Sequence, residues 1–139
     1  MLTRVLLALV LISGTVAAGL AEEAKVLALG VTDHAPAQAE LEKGEALAPP
    51  KFNTPAVAYA LTSGLKQGDV VEVHLANEGK SLMHNAETLA ADAPTHLLLA
   101  GKRGVPAGGW PEGNYTASVK VTRDGKTLIE QNSDPISFE

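Results

Sequence analysis

The 139-residue chain has no cysteine. No disulfide can staple it, and no thiolate can act as nucleophile or metal ligand. Aromatics are scarce as well: one Trp, two Tyr and two Phe. Burial must rest mainly on aliphatic side chains, with each ring contributing more than its share. Positive charge is also in short supply, 11 Lys and Arg against 16 Asp and Glu, for a formal net charge of −5. That balance argues against nucleic acid and anionic membrane surfaces as partners. The chain contains no Walker-type loop, no Gly-x-Gly-x-x-Gly stretch and no Gly-x-Ser-x-Gly elbow, so the usual phosphate cradles and serine-hydrolase signatures are missing. On these grounds the chain reads as a non-enzymatic protein without a cofactor.

The N-terminus does carry a recognisable pattern. Arg4 is followed by an apolar run from Val5 to Ile12 and then by small residues that include Ala17, Ala18 and Ala21. This is the pattern of a secretory signal peptide. The run falls well short of the roughly 20 apolar residues needed to cross a bilayer as a helix. Cleavage after Ala18 or after Ala21 satisfies the small-residue rule, and residues 1–21 are taken as the leader. No cysteine follows that could take a lipid anchor. The expected product is a periplasmic or secreted protein with no transmembrane anchor. The leader takes with it one basic residue, Arg4, and no acidic one, leaving 10 minus 16, or −6. The remaining 118 residues suffice for one small domain with its own core.

Residues 22–50 hold "VLALGV", Val26 to Val31, and the stretch "DHAPAQAELEKGEALAPP", Asp33 to Pro50. The first reads as a strand or as an N-terminal arm. The second lacks β-branched residues and reads as a polar connector with one helical turn around Gln38 to Lys43. From residue 51 onward the hydrophobic period becomes two. Strands are expected over Ala56 to Ser63, Asp69 to Asn77, Ser81 to Ala90, Thr95 to Lys102, Asn114 to Arg123, Lys126 to Gln131 and Ile136 to Phe138. Gly-, Pro- and Asp-containing breaks lie between them. This spacing predicts an all-β antiparallel sandwich of about seven strands over 51–139.

Asp124-Gly125 marks a two-residue type I′ turn, since Asp and Gly tolerate the positive φ it requires. It makes Asn114 to Gln131 a hairpin with Tyr115, Ala117, Val119 and Val121 on one face. A turn centred on Glu78 and Gly79 would make a second hairpin. Unbroken pairing from that turn sets Leu75 opposite Leu82, Val73 opposite His84, and His74 opposite Met83, with His84 on the other face from His74.

Four residues invite a metal reading: His74, Met83, His84 and His96, because imidazole and thioether together suit copper. No His-x-His or His-x-x-x-His spacing supports it, and exposed strand histidines are common. His34 falls in the connector. The stretch "GKRGVPAGGW", Gly101 to Trp110, carries the adjacent basic pair Lys102 and Arg103. A loop at the end of a sandwich is where such folds bind partners.

At "GWPEGNYTASVKVTRDGKTLIEQNSDPISFE" the chain resembles small bacterial extracytoplasmic immunoglobulin-like, or fibronectin-III-like, sandwich domains. Trp110, Pro111, Gly113 and Tyr115 match a Trp-Pro-x-Gly-x-Tyr corner, and Asp124, Gly125 and Phe138 match the tight turn and terminal aromatic. "FNTPAVAYALTSGLKQGDVVEVHL", Phe52 to Leu75, is similar to the first two strands of such domains. The chain departs from the antibody pattern in lacking the cysteine pair and the core Trp between them. The resemblance implies a structural corner at Trp110 and a binding or accessory module of the bacterial envelope, contacting a protein or surface ligand. Two other functions are carried forward: a metal carrier using the His and Met residues, and an inhibitor of a secreted hydrolase presenting the Gly101 to Trp110 loop.

Overall fold

A computed structural model describes residues 23–44, 47–102 and 105–138, apart from the Lys102 side chain. The expected leader and Arg103 lie outside the described residues. The described residues form eight strands and one short helix. In chain order the strands are β1 (Lys25–Thr32), β2 (Ala56–Leu65), β3 (Val70–Asn77), β4 (Lys80–Thr88), β5 (Ala93–Lys102), β6 (Asn114–Arg123), β7 (Lys126–Asn132) and β8 (Ile136–Ser137), and the helix is α1 (Gln38–Glu42).

The strands make two antiparallel sheets, β1-β2-β5 and β4-β3-β6-β7, with β8 paired to the start of β6. The fold is therefore all-β, with the two-sheet arrangement of a sandwich. Residues 26–31 are a strand, not an arm, and pair with β2 from Lys25↔Ser63 to Thr32↔Val57.

The core lies between the sheets. The first sheet contributes Val31, Leu98 and the small residues Ala56, Ala58, Ala60 and Ala100, while the second contributes Val71, Val73, Leu75, Tyr115, Val119 and Val121. β-Branched residues at alternate positions of β3 and β6 suit a pleated, half-buried surface. The face expected for the Asn114 to Gln131 hairpin holds: Tyr115, Ala117, Val119 and Val121 are buried, and Thr116, Ser118, Lys120 and Thr122 are only half-buried.

The connector does more than link strands. Thr32 donates to the Ala48 carbonyl at 2.7 Å, and Gln38 Nε2 donates to Thr95 Oγ1 at 2.8 Å. Pro36 and Pro50 are buried. Val57 and Leu61, which alternate with the core-facing alanines of β2, are buried as well. The connector thus covers the outer side of the first sheet, while the inter-sheet core fills the inner side.

At one end of the sandwich, Asp69 is fully buried and accepts two hydrogen bonds from Arg123, Nε to Oδ1 and Nη2 to Oδ2, each 2.8 Å. The Lys66 amide donates to the same carboxylate at 2.8 Å. The main chain of Gly68 and Asp69 also bonds with that of Leu89: Leu89 N–H donates to Asp69 O, and Gly68 N–H to Leu89 O. Paired with a guanidinium in this fork geometry, a buried carboxylate is satisfied on both oxygens. Hydrogen bonding from Arg123 holds the Asp69 carboxyl below its ordinary pKa, against the opposing effect of burial. This ion pair ties β3 to the far end of β6 without a disulfide.

Candidate functional site

The opposite end of the sandwich is organised by aromatics. Trp110 is 8% exposed, its backbone N–H donates to Phe52 O, and its Nε1 donates to Thr54 O at 2.7 Å. Its ring meets Tyr115 edge-on at 6.4 Å and Phe138 edge-on at 6.0 Å, while Tyr115 and Phe138 stack at 3.8 Å. The Tyr115 hydroxyl donates to the carbonyl of Pro111. Burial pushes the Tyr115 phenol above its ordinary pKa, which keeps the hydroxyl a donor. Three of the chain's five aromatic rings therefore share one corner, edge-to-face and stacked as ring quadrupoles prefer.

This corner forms one side of an apolar groove of about 620 Å³. Leu82 and Met83 of β4 supply one wall, Val105 to Ala107 and Gly109 the other, and Trp110 with Pro111 the remainder. The loop doubles back on the body of the protein: Val105 packs against the core, and Gly109 N–H donates to Pro106 O. Gly109 has φ +91°, and an added Cβ would lie 2.6 Å from the Phe52 ring, so only glycine fits there. Phe52 itself is 50% exposed and Leu82 is 40% exposed. Large apolar side chains exposed beside a concave apolar surface are the usual composition of a binding site.

Leu82 reaches this wall through a bulge. Asn77↔Lys80 and Ala76↔Ser81 pair as a Glu78-Gly79 turn requires, and then the register shifts so that Leu75 pairs with Met83, His74 with His84 and Val73 with Asn85. The expected pairings of Leu75 with Leu82, Val73 with His84 and His74 with Met83 are corrected accordingly. Leu82 is the extra residue, and Met83 takes its place against the core. The shift leaves Asn85 and Glu87 opposite Val73 and Val71. Polar residues are tolerated there because β4 is an edge strand meeting the rim of the other sheet. Asn85 Nδ2 donates to Leu99 O at 2.9 Å, and Glu87 Oε1 lies 3.4 Å from His96 Nε2.

The bulge also rearranges the histidines. His74 and His84 stack, ring centroids 5.3 Å apart and 21° from parallel. His74 Nδ1 is 2.8 Å from Ser81 Oγ, and its Nε2 is 3.6 Å from Glu72 Oε1. Met83, on the other side of the sheet, joins the groove, and His96 pairs with Glu87 across the seam between β4 and β5. The four residues of the metal reading are thus spread over three places. Among the described residues, no group of three or more His, Asp or Glu is gathered as a metal centre. His34 sits between Asp33 and Glu40, at 2.8 and 3.2 Å from its two ring nitrogens. The Asp33 carboxylate first, then Glu40, raises its pKa above the ordinary imidazole value. Lys102 ends β5.

Reading the sequence did not single out Leu82, Met83 and Phe52 as lining or flanking a groove. Adjacent apolar residues at Leu82-Met83 are the available signal, since strict alternation cannot bury both. The Asp69–Arg123 pair left no comparable mark. No protein-family model matches the chain, and no curated protein sequence matches it. Among the described residues no helix is long and apolar enough to cross a membrane.

Proposed function

We propose that the chain is an exported, non-enzymatic binding module of the bacterial envelope, with an immunoglobulin-like or fibronectin-III-like sandwich as scaffold. On this reading it holds an apolar segment of an envelope protein or surface ligand in the groove beside Trp110. The observation that carries the reading is the groove itself, which joins the exposed Leu82 to a pre-formed apolar hollow. Support for the scaffold comes from Tyr115, at the start of β6, whose hydroxyl bonds to the backbone four residues upstream. A corner of that kind is a hallmark of immunoglobulin-type sandwiches. Support for export comes from the leader pattern in residues 1–21.

Association here would draw on buried apolar area, with Leu82 and Phe52 as anchors. The test is retention of a partner from envelope extract on immobilised protein, comparing wild type with Leu82→Asp and Leu128→Asp. Leu128, at 42%, is exposed to nearly the same degree as Leu82, but belongs to β7 and does not line the groove. Retention by wild type and Leu128→Asp, with loss in Leu82→Asp, is the expected result. Equal retention by all three would remove the groove from the proposal.

A further inference from the structure

We propose that the groove takes the single aliphatic chain of a monomeric amphiphile, with the head group left in water at its mouth. The inference rests on the reading of the groove as a binding site and names the chemistry of its occupant. At about 620 Å³ the hollow falls within the roughly 300–1,000 Å³ of small-molecule sites. Such sites combine apolar walls with a few polar groups that orient the ligand. Here those polar groups are already engaged.

The loop wall shows where they go. Pro106 and Pro111 have no amide proton. Gly109 N–H donates to Pro106 O, and Trp110 N–H donates to Phe52 O. Trp110 Nε1, the one side-chain donor among the described lining residues, is taken by Thr54 O, and the Pro111 carbonyl accepts from the Tyr115 hydroxyl. None of the described lining side chains is charged. A sugar, a nucleotide or a carboxylate would find nothing there to hold it.

The strand wall argues against a peptide. Strand addition needs a regular free edge, but the β4 bulge falls at Leu82 and Met83 and interrupts the ladder there. An extended peptide laid between these walls leaves main-chain N–H and C=O groups without protein partners, which is costly wherever water is displaced. A hydrocarbon chain brings no such groups. Its contact with Leu82, Met83, Val105 and Trp110 turns apolar area directly into affinity. The formal charge of −5 opposes docking on an anionic bilayer, so the source is an amphiphile free in water.

The test is titration of the full chain with octanoyl, decanoyl and lauroyl lysophosphatidylcholine, each below its micelle concentration. Trp110 is the chain's one tryptophan and lines the groove, so its emission reports occupancy, and the Met83 methyl does the same by nuclear magnetic resonance. One saturable site is expected, tightening by up to about fourfold for each added methylene, the equivalent of about 0.8 kcal/mol. Leu82→Asp should weaken it by about tenfold, and Leu128→Asp should leave it unchanged, with far-ultraviolet dichroism confirming that both variants fold. Phosphatidylcholine vesicles should not sediment the protein. Absence of saturable binding overturns the inference, as does an affinity indifferent to chain length or to Leu82→Asp, or sedimentation with vesicles. If the amphiphiles fail while retention from envelope extract is still lost in Leu82→Asp, the groove stands as a binding site and the aliphatic occupant alone is refuted.

Discussion

In the β3–β4 hairpin the turn residues are Glu78 and Gly79, at φ 50° and 83°; in the β6–β7 hairpin they are Asp124 and Gly125, at 52° and 79°. Each turn is followed by two paired rungs and then a one-residue shift, at Leu82 in the first and at Leu128 in the second. The two leucines are exposed to nearly the same degree, yet only Leu82 has a loop folded beside it to make a groove. The same local device therefore serves shape in one place and a candidate site in the other. What differs is the neighbour. β4 faces the Val105–Trp110 loop, whereas β7 is an edge strand with almost all its side chains exposed.

The sharpest way to break the pair of hairpins is to remove what joins them. Asp69 stands just before β3, and Arg123 ends β6, next to the second turn. Asp69→Ala should cost about 3 kcal/mol, because it strands a partly buried guanidinium. Urea denaturation measures this, and an unchanged midpoint would refute it. In the wild type the same pair makes stability depend on pH. The folded-state pKa of Asp69 is depressed, so its contribution is fully present above the ordinary aspartate value. It is lost as pH falls below that value and through the lower folded-state one. Asp69→Asn should flatten the acid limb of the stability curve.

A smaller effect tests whether the turns are equivalent. Gly79 and Gly125 both have positive φ, and an added Cβ would meet nothing within 4 Å at either. Alanine at either site should therefore cost the left-handed backbone penalty alone, about 1 kcal/mol, and the two melting temperatures should fall together. The smallest effect separates the leucines. Leu82→Asp and Leu128→Asp should each change stability by no more than about 0.5 kcal/mol, as exposed substitutions usually do. A large loss for either would mean that its bulge contributes to folding as well as to surface shape.

Much of the sandwich could be read from alternation and turns. Asp124-Gly125 and the Tyr115 to Val121 series determine the second hairpin with no tertiary information, apart from its bulge. The first hairpin shows where this stops. Leu82 and Met83 are both apolar, so either can face Leu75, and the choice is settled by packing against the core and the loop. With that choice the histidines change partners, which is why a reading that paired His74 with Met83 missed the stack of His74 on His84. The Asp69–Arg123 pair was illegible for another reason. Its members are 54 positions apart, and a charged residue beside a turn looks the same in sequence whether it is buried or solvated. The connector, polar by composition, hides its role in the few contacts made by Thr32, Gln38 and the buried prolines.

The division of labour between the sheets also bears on how the chain assembles in time. The second sheet contains both tight hairpins, whose strands are neighbours in sequence. The first sheet has none: β1 meets β2 across the connector, and β2 meets β5 only after β3 and β4 have been laid down elsewhere. Loop closure must precede the gain from such distant pairings. We expect the two hairpins to form first and the long-range pairings, β3 with β6 and the β1-β2-β5 sheet, to close in the slow phase, with Val121 early and Ala58 late in a φ-value series. During that interval the inner faces of the hairpins stand uncovered. On the proposed reading of an exported chain, this is when a chaperone on the far side of the membrane would have something to hold.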